Sequence, residues 1–367
     1  MLRPRTKLEW SYFGVTTTQA IVIIALQLAV LLNYLDWVHP WAYQVPLAYT
    51  YPISIAVIIA GIAYQAILTL DAFRIKNNIQ LFAQCIANIC LAISTTMQYG
   101  QLKHAASRVS DGHASYPNEP FTKDRPFWAQ TQPLLIICII ASCSSTVGMV
   151  VLAVRLHREF SWALYKDISA DLNIRGRYFA YQVYLVLIKL AFYFVFSFVV
   201  IYAFVNVHYQ QPEFALTLAV IPLSLLTIGL AVYYTRKEAR IGMALTIVIY
   251  LSATGWLISR MVALCGTGAR SAPVLKDEQI LFAGVSVGFL LAASGAAVRC
   301  LLNFDSGLKP ILLGQTQRKG PAAAGAASSR TALVLDGDED VEGDYYFQRL
   351  NYVAPSTVDL NRRFALD

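Results

Sequence analysis

Charged residues are scarce in this chain of 367 residues. Asp, Glu, Lys and Arg make up 14% of it, whereas soluble domains carry about 25%. Apolar and aromatic residues make up 57%, and the mean hydropathy is +0.51. So little polar surface cannot cover a water-facing globule. The composition excludes a soluble enzyme, a DNA-binding protein, a disulfide scaffold and a disordered hub, and it predicts a polytopic membrane protein.

Residues that carry catalytic or metal chemistry are also few. The five His are scattered, and the six Cys contain no CxxC pair, so the sequence predicts no metal site. Neither an H-E-x-x-H motif nor a P-loop occurs. We therefore predict no catalytic residue, no cofactor and no enzymatic activity. No Asn-x-Ser/Thr sequence is present either, so N-glycosylation is not expected.

Long apolar runs dominate the first 302 residues. A helix needs about 20 mostly apolar residues to cross the hydrocarbon layer, because lipid leaves no partner for unpaired backbone groups. Eight stretches qualify, and the third and fourth are the most polar. The sequence predicts an all-α integral membrane bundle of about eight transmembrane helices. The stretches are Thr17 to Trp37, Ala48 to Leu70, Ile79 to Tyr99, Pro133 to Val154, Phe179 to Val205, Ala215 to Tyr234, Gly242 to Leu264 and Ile280 to Leu302.

The basic residues lie mostly on one side of these spans. Basic loops stay in the cytosol, so this asymmetry predicts cytosolic N and C termini and supports an even number of spans. It also explains the net charge of +7 without a nucleic-acid partner. The basic residues of the opposite, luminal loops are Lys103, Arg108, Lys123, Arg125, Arg270 and Lys276.

The sequence divides the chain into three parts. Residues 1–16 form a cytosolic segment, residues 17–302 the eight-helix domain, and residues 303–367 a cytosolic tail predicted to be disordered, with an acidic cluster. Inside the helical domain we expect a luminal loop near 100–132. We also expect an amphipathic cytosolic loop near 155–178, with a helix lying in the membrane interface.

Lys189 is the most informative candidate for a functional residue, because a charge at bilayer depth costs about 2.5–3.5 kcal/mol on insertion scales. In one interpretation it holds an anionic substrate or a proton in a polar cavity. In the other, its long stem snorkels to the cytosolic headgroups. The sequence favours snorkelling, because no other span is expected to place a carboxylate at matching depth.

The turn after the second span contains further candidates. Asp71 and Arg74 are three residues apart and could pair on a continued helix, and Asn78 follows them. A helical-hairpin cap is the simpler interpretation of this turn. Within the spans, Asn88, with Gln27 and Gln84, is a candidate for lining a polar cavity.

The eighth span carries small residues at every fourth position: Gly284, Gly288, Ala292 and Ala296. Such a ridge lets a second helix approach closely. Packing within the chain is the expected outcome, and a homo-oligomer is the alternative.

Four stretches predicted to be cytosolic carry a recognisable pattern: LDAFRIKNNIQLF (Leu70 to Phe82), LYKDISADLNIRGRYFAY (Leu164 to Tyr181), RKEARIGM (Arg236 to Met243) and NFDSGLKP (Asn303 to Pro310). In this order they resemble an uncharacterised fungal family of Golgi apparatus multi-pass membrane proteins. The resemblance covers roughly residues 15–312 and not the tail. It implies a Golgi membrane location and a multi-pass fold, and it implies no activity, substrate or catalytic residue.

Two functions from different classes agree with these observations. The first is a membrane organising or trafficking factor whose cytosolic loops engage trafficking proteins or the lipid bilayer. Asp338-Glu339-Asp340 and Glu342-Gly343-Asp344 in the tail resemble diacidic export signals. The alternative is a secondary transporter or channel for a small solute, with a polar cavity near Lys189. An intramembrane transferase ranks last, because the luminal loop offers acidic residues without a recognisable arrangement.

Overall fold

The computed structural model describes residues 6–38, 46–75, 77–110, 126–167, 172–207, 211–266 and 275–304. Side chains are described for these residues except 46–49, 75, 108–110, 160–167 and 172–175. The acidic tail and its export-like signals lie outside the described residues, as do residues 111–125 of the predicted luminal loop.

Eight long α-helices make up almost all of the described chain, and no strand occurs within it. Each helix is long and apolar enough to cross a membrane, which confirms the predicted fold class. The helices are α1 (Lys7–Trp37), α2 (Pro46–Ile75), α3 (Asn78–Ser110), α4 (Phe127–Asp167), α5 (Leu172–Asn206), α6 (Gln211–Lys237), α7 (Arg240–Cys265) and α8 (Lys276–Leu302).

The helices extend well beyond the predicted spans. Helix α1 already begins at Lys7, inside the segment predicted to precede the membrane, and α3 and α4 take up both ends of the predicted luminal loop. Helix α4 has 41 residues, which is about 60 Å at 1.5 Å per residue and twice the hydrocarbon thickness. Residues 155–167 and 172–178 of the predicted amphipathic loop lie in α4 and α5, and residues 168–171 lie outside the described part of the chain. The amphipathic character of this loop stays a prediction. Neither Pro nor Gly occurs between Gly148 and Gly176, so neither extension contains a residue that breaks helices.

The bundle consists of two halves. Helices α1–α4 pack mainly against one another, with α1 and α3 on α4, and helices α5–α8 do the same, with α5 and α7 on α8. The two halves meet where α2 and α3 contact α5 and where α3 contacts α8. Helices α3 and α5 are consequently the most enclosed, each with 67% of its apolar window buried, against 17% for α6.

The middle of the small-residue ridge of α8 does not pack within the chain as expected, whereas its ends, Gly284 and Ala296, are half-buried. Gly288 and Ala292 are exposed on the outer face of the bundle, and no atom lies within 4 Å of a Cβ built on Gly288. The opposite face of α8 is the buried one, because Phe282 and Leu290 fill the space beside α5, and Ala283 and Ala293 allow close approach there. A homo-oligomer through Gly284, Gly288, Ala292 and Ala296 stays a prediction.

The two halves approach most closely at Gly61 of α2. The ring of Tyr193 from α5 lies over this glycine, and its hydroxyl donates to the carbonyl of Val57 one turn earlier, at 3.2 Å. A methyl group on Gly61 would lie 2.6 Å from Cζ of Tyr193 and 2.9 Å from Cδ2 of Leu91. The absence of a side chain is therefore what allows α5 to reach the backbone of α2.

We expect Gly61→Ala to lower the free energy of unfolding in detergent by about 1–3 kcal/mol, because the added methyl overpacks the contact between the halves. Gly229→Ala is the matched control. Gly229 also lies inside a helix, and no atom lies within 4 Å of its built Cβ. Equal unfolding midpoints for the two variants would contradict the close approach.

Candidate functional site

Buried polar side chains follow one another along the whole membrane depth of α3. A polar residue recurs at almost every turn, and each is at most 2% exposed. Lipid cannot bond to these groups, so they require partners on neighbouring helices. They are Gln80, Gln84, Asn88, Ser94, Thr95 and Gln98.

Two amides of α3, those of Asn88 and Gln98, bond to α1 and α4. Gln19 donates to Oδ1 of Asn88 at 2.6 Å, and Asn88 donates in turn to Thr146 of α4 at 2.7 Å. Gln27 and Gln98 exchange reciprocal amide bonds of 2.9 and 3.2 Å. The candidate cavity residues Gln27 and Asn88 thus bond to neighbouring helices within the N-terminal half.

Gln84 links α1, α2 and α3. It lies toward the basic end of the bundle, which we define as the end that carries Thr6, the α2–α3 turn and the α6–α7 turn. Its Nε2 donates to the carbonyl of Gln65 at 3.2 Å. Its Oε1 accepts from Tyr12 and Thr69, each at 3.4 Å. This third predicted cavity residue is also fully buried.

Lys189 forms an ion pair with Asp71. The Nζ of Lys189 on α5 contacts Oδ2 of Asp71 on α2, and the two side chains are 25% and 32% exposed. Gln80 of α3 donates to the same oxygen at 3.2 Å, and Tyr64 of α2 donates to the Lys189 carbonyl at 2.9 Å. The expectation that no carboxylate lies at the depth of Lys189 was wrong. The lysine stem reaches Asp71, one turn before α2 ends.

Arg74 and Asn78 lie apart from this ion pair. Arg74 is exposed, and no ion pair between Arg74 and Asp71 occurs among the described side chains. Asn78 donates to the carbonyl of His157 on α4 at 3.4 Å and so anchors the α2–α3 turn to α4. The neighbouring Asn77 is buried, and its Oδ1 accepts from the backbone N–H of Ile79 at 3.0 Å. This bond supports the interpretation of the turn as a hairpin cap.

Sequence reasoning missed Glu278. Its carboxylate is fully buried and accepts from Ser54 of α2 at 3.0 and 2.8 Å and from Ser94 of α3 at 2.9 Å. The predicted span began at Ile280, which left Glu278 in a loop, whereas α8 begins at Lys276. Acidic residues are common in the first turn of a helix, so no signal in the sequence separated it from its exposed neighbour Asp277.

One pentapeptide has the G-x-S-x-G spacing of a hydrolase nucleophile turn: Gly284-Val285-Ser286-Val287-Gly288. Such a serine requires a sharp strand-to-helix turn, but Ser286 lies inside α8. It is fully buried, and it donates to the carbonyl of Phe282 at 2.7 Å. Within the described residues, no group of three His, Cys, Asp or Glu side chains could hold a metal ion.

We expect Asp71→Asn and Lys189→Met to be coupled in a double-mutant cycle. Each single change removes one member of the ion pair, and contacting residues typically couple by about 0.5–3 kcal/mol. Partial exposure of both side chains places this pair toward the lower end of that range. The cycle is measured on unfolding free energies in detergent. Asp71→Asn with Arg74→Gln is the matched control, and a coupling as large for Arg74 as for Lys189 would contradict the pairing.

The chain is similar to a UPF0658 Golgi apparatus membrane protein of Schizosaccharomyces pombe. The two are 23% identical over 275 residues, which cover 70% of this chain and 77% of the relative. No family model and no solved structure matches the chain. The similarity confirms the resemblance to this uncharacterised fungal family that the sequence indicated. With the eight membrane-crossing helices, it identifies the chain as a multi-pass Golgi membrane protein similar to an uncharacterised fungal family.

Proposed function

We propose that this protein is a membrane organising or trafficking factor of the Golgi, and that it acts through a helical projection at the basic end of the bundle. The projection consists of residues 158–167 of α4 and 172–178 of α5. The observation that carries the proposal is that α4 and α5 extend farther at the basic end than α2 and the α2–α3 turn do.

The extent of the projection follows from contacts between neighbouring helices. Asn78 at the α2–α3 turn bonds to His157, and α4 continues for ten more residues to Asp167, which is about 15 Å. Tyr193 of α5 covers Gly61 of α2, so these two residues lie at the same level of the bundle. From that level toward the basic end, α5 extends 21 residues and α2 extends 14. The difference of seven residues is about 10 Å.

A projection of this kind suits docking of a cytosolic partner. The predicted orientation places it in the cytosol, and its residues 164–178 fall within one of the four family-like stretches. Its sequence combines apolar residues such as Tyr165 and Leu172 with charged ones, as do the sequences of helices that bind a partner. The trafficking proteins proposed as partners would be components of vesicle coats or tethers.

Transport of a small solute is the second candidate, and the Lys189–Asp71 ion pair favours it. The pair joins α2 of one half to α5 of the other, is partly exposed, and lies in a membrane-spanning region where ionisable residues commonly mark substrate or ion pathways. An anionic solute could replace Asp71 as the partner of Lys189.

Shortening the projection tests the first proposal. Removing residues 161–167 and 172–178 takes two helical turns from each arm and leaves residues 168–171 as the connection. We expect the variant to reach the Golgi and to lose coat or tether proteins from its labelled neighbours, because the docking helices are about 10 Å shorter. A biotin ligase fused to the N-terminus measures the neighbours, and size-exclusion chromatography checks folding. An unchanged set of coat and tether neighbours would sink the proposal.

A flux assay in proteoliposomes tests the second. We expect Lys189→Ala to reduce uptake to the rate of protein-free vesicles for any solute from a panel of small anions that the unmodified chain carries, because the substrate would lose its cation. Arg74→Gln, which changes an exposed basic residue near the same turn, should retain full uptake. Uptake by Lys189→Ala at the unmodified rate would rule out a role for the ion pair in transport.

A further inference from the structure

Glu278 occupies a second charged position between the two halves of the bundle, far from the α4–α5 projection. It belongs to α8, and its two hydrogen-bond donors, Ser54 and Ser94, belong to α2 and α3. Glu278 and Gln279 are both fully buried, so protein encloses the first turn of α8 on two adjacent faces.

The partners of Glu278 differ in kind from those of Asp71. Asp71 has the Lys189 cation, whereas Glu278 contacts two hydroxyl groups and forms no ion pair among the described side chains. An ionised carboxylate without a cation is costly in an enclosed apolar site, and such a group takes up a proton instead. The site is therefore built for a neutral carboxylic acid.

The serines suit both states of the carboxyl group, because a hydroxyl both donates and accepts. When Glu278 is ionised, Ser54 and Ser94 donate to it at the observed distances. When it is protonated, its O–H can donate to a serine oxygen while the serine hydroxyl donates to a carbonyl of the preceding helical turn. Ser294 of α8 already makes such a bond, to Leu290 at 2.8 Å.

Among the side chains that the structure describes, no other titratable group around Glu278 supplies a cation. Helix α5 brings Tyr193, whose hydroxyl donates to Val57, and α3 brings Cys90 near that tyrosine. Arg260 of α7 donates to Tyr202 at 3.3 Å. Lys276 and Asp277 precede Glu278 in α8, and Asp277 is exposed.

We propose that Glu278, Ser54 and Ser94 form a reversible proton-binding site that couples the packing of α8 against α2 and α3 to the pH on the side opposite the basic end. Glu278 lies two residues from the start of α8, so its proton exchanges with water on that side. Loss of the proton leaves a negative charge between the halves that only the hydroxyl groups of Ser54 and Ser94 offset, so the first turn of α8 packs less firmly against α2 and α3 when Glu278 is ionised.

Infrared difference spectroscopy of the purified full-length chain in lipid tests the site directly. Between about pH 5 and pH 8, we expect the C=O stretching band of a protonated carboxylic acid to disappear as the pH rises. The band should be missing in Glu278→Gln and retained in Asp277→Asn, the exposed neighbour. Identical difference spectra for the unmodified chain and Glu278→Gln would overturn the proposal.

A second measurement needs no variant. N,N′-Dicyclohexylcarbodiimide is lipid-soluble and adds to a protonated carboxyl group: the acid proton moves to nitrogen, the carboxyl oxygen bonds the central carbon, and rearrangement leaves a stable N-acylurea. We expect peptide mapping to find this adduct on Glu278 at low pH, with a yield that falls as the pH rises. No adduct at low pH would overturn the proposal. Protection by sodium ions at constant pH would also overturn it, because the site would then bind a metal cation.

Discussion

A polar group within the membrane must find its partner inside the protein, and the interior of this bundle depends on that constraint. Helix α3 illustrates it. Its apolar window has the lowest mean hydropathy of the eight, 1.5, yet it shares the highest buried fraction. The two facts have one cause, because its amides can be satisfied only by groups of neighbouring helices, such as the side chains of Gln19, Gln27 and Thr146. The polarity that weakens α3 as a hydrophobic span is what fixes it at the centre of its half.

The same constraint has two different solutions for the carboxylates between the halves. Asp71 is balanced by Lys189, so the pair contributes no net charge and its partial exposure is tolerable. Glu278 is enclosed and has only hydroxyl partners, so its charge depends on whether a proton is bound. The ion pair lies near the basic end and Glu278 near the opposite end. The contact between the halves therefore includes the Lys189–Asp71 ion pair at one end and, at the other end, the Glu278 carboxyl group, whose charge depends on protonation.

The eight spans could be predicted because length and hydropathy are local properties of the sequence. The partner of Lys189 could not, because Asp71 is 118 positions away and the depth at which a lysine ends depends on where its stem points. Glu278 was missed for a related reason. Hydropathy marks where apolar residues begin, whereas α8 starts four residues before Ile280, and the neighbouring helices bury polar residues of this first turn. The ridge of α8 shows the other limit. The spacing correctly placed Gly288 and Ala292 on one face of α8. Which face is buried depends on how α8 packs against α5, and the opposite face is the buried one.

The distribution of polar contacts indicates where this bundle can move. Inside the N-terminal half, a rearrangement of α1 against α3 would break the Gln27–Gln98 and Gln19–Asn88 bonds, and lipid offers no replacement for them. Between the halves, part of the contact consists of ring surfaces, such as Phe192 of α5 against Tyr64 of α2, and a ring contact does not impose the directional geometry of a hydrogen bond. The few polar contacts that cross this boundary include the Lys189–Asp71 pair and the bonds of Glu278. A movement of one half against the other would thus be governed by ionisable groups, and α5, which continues into the α4–α5 projection, would carry that movement to the basic end.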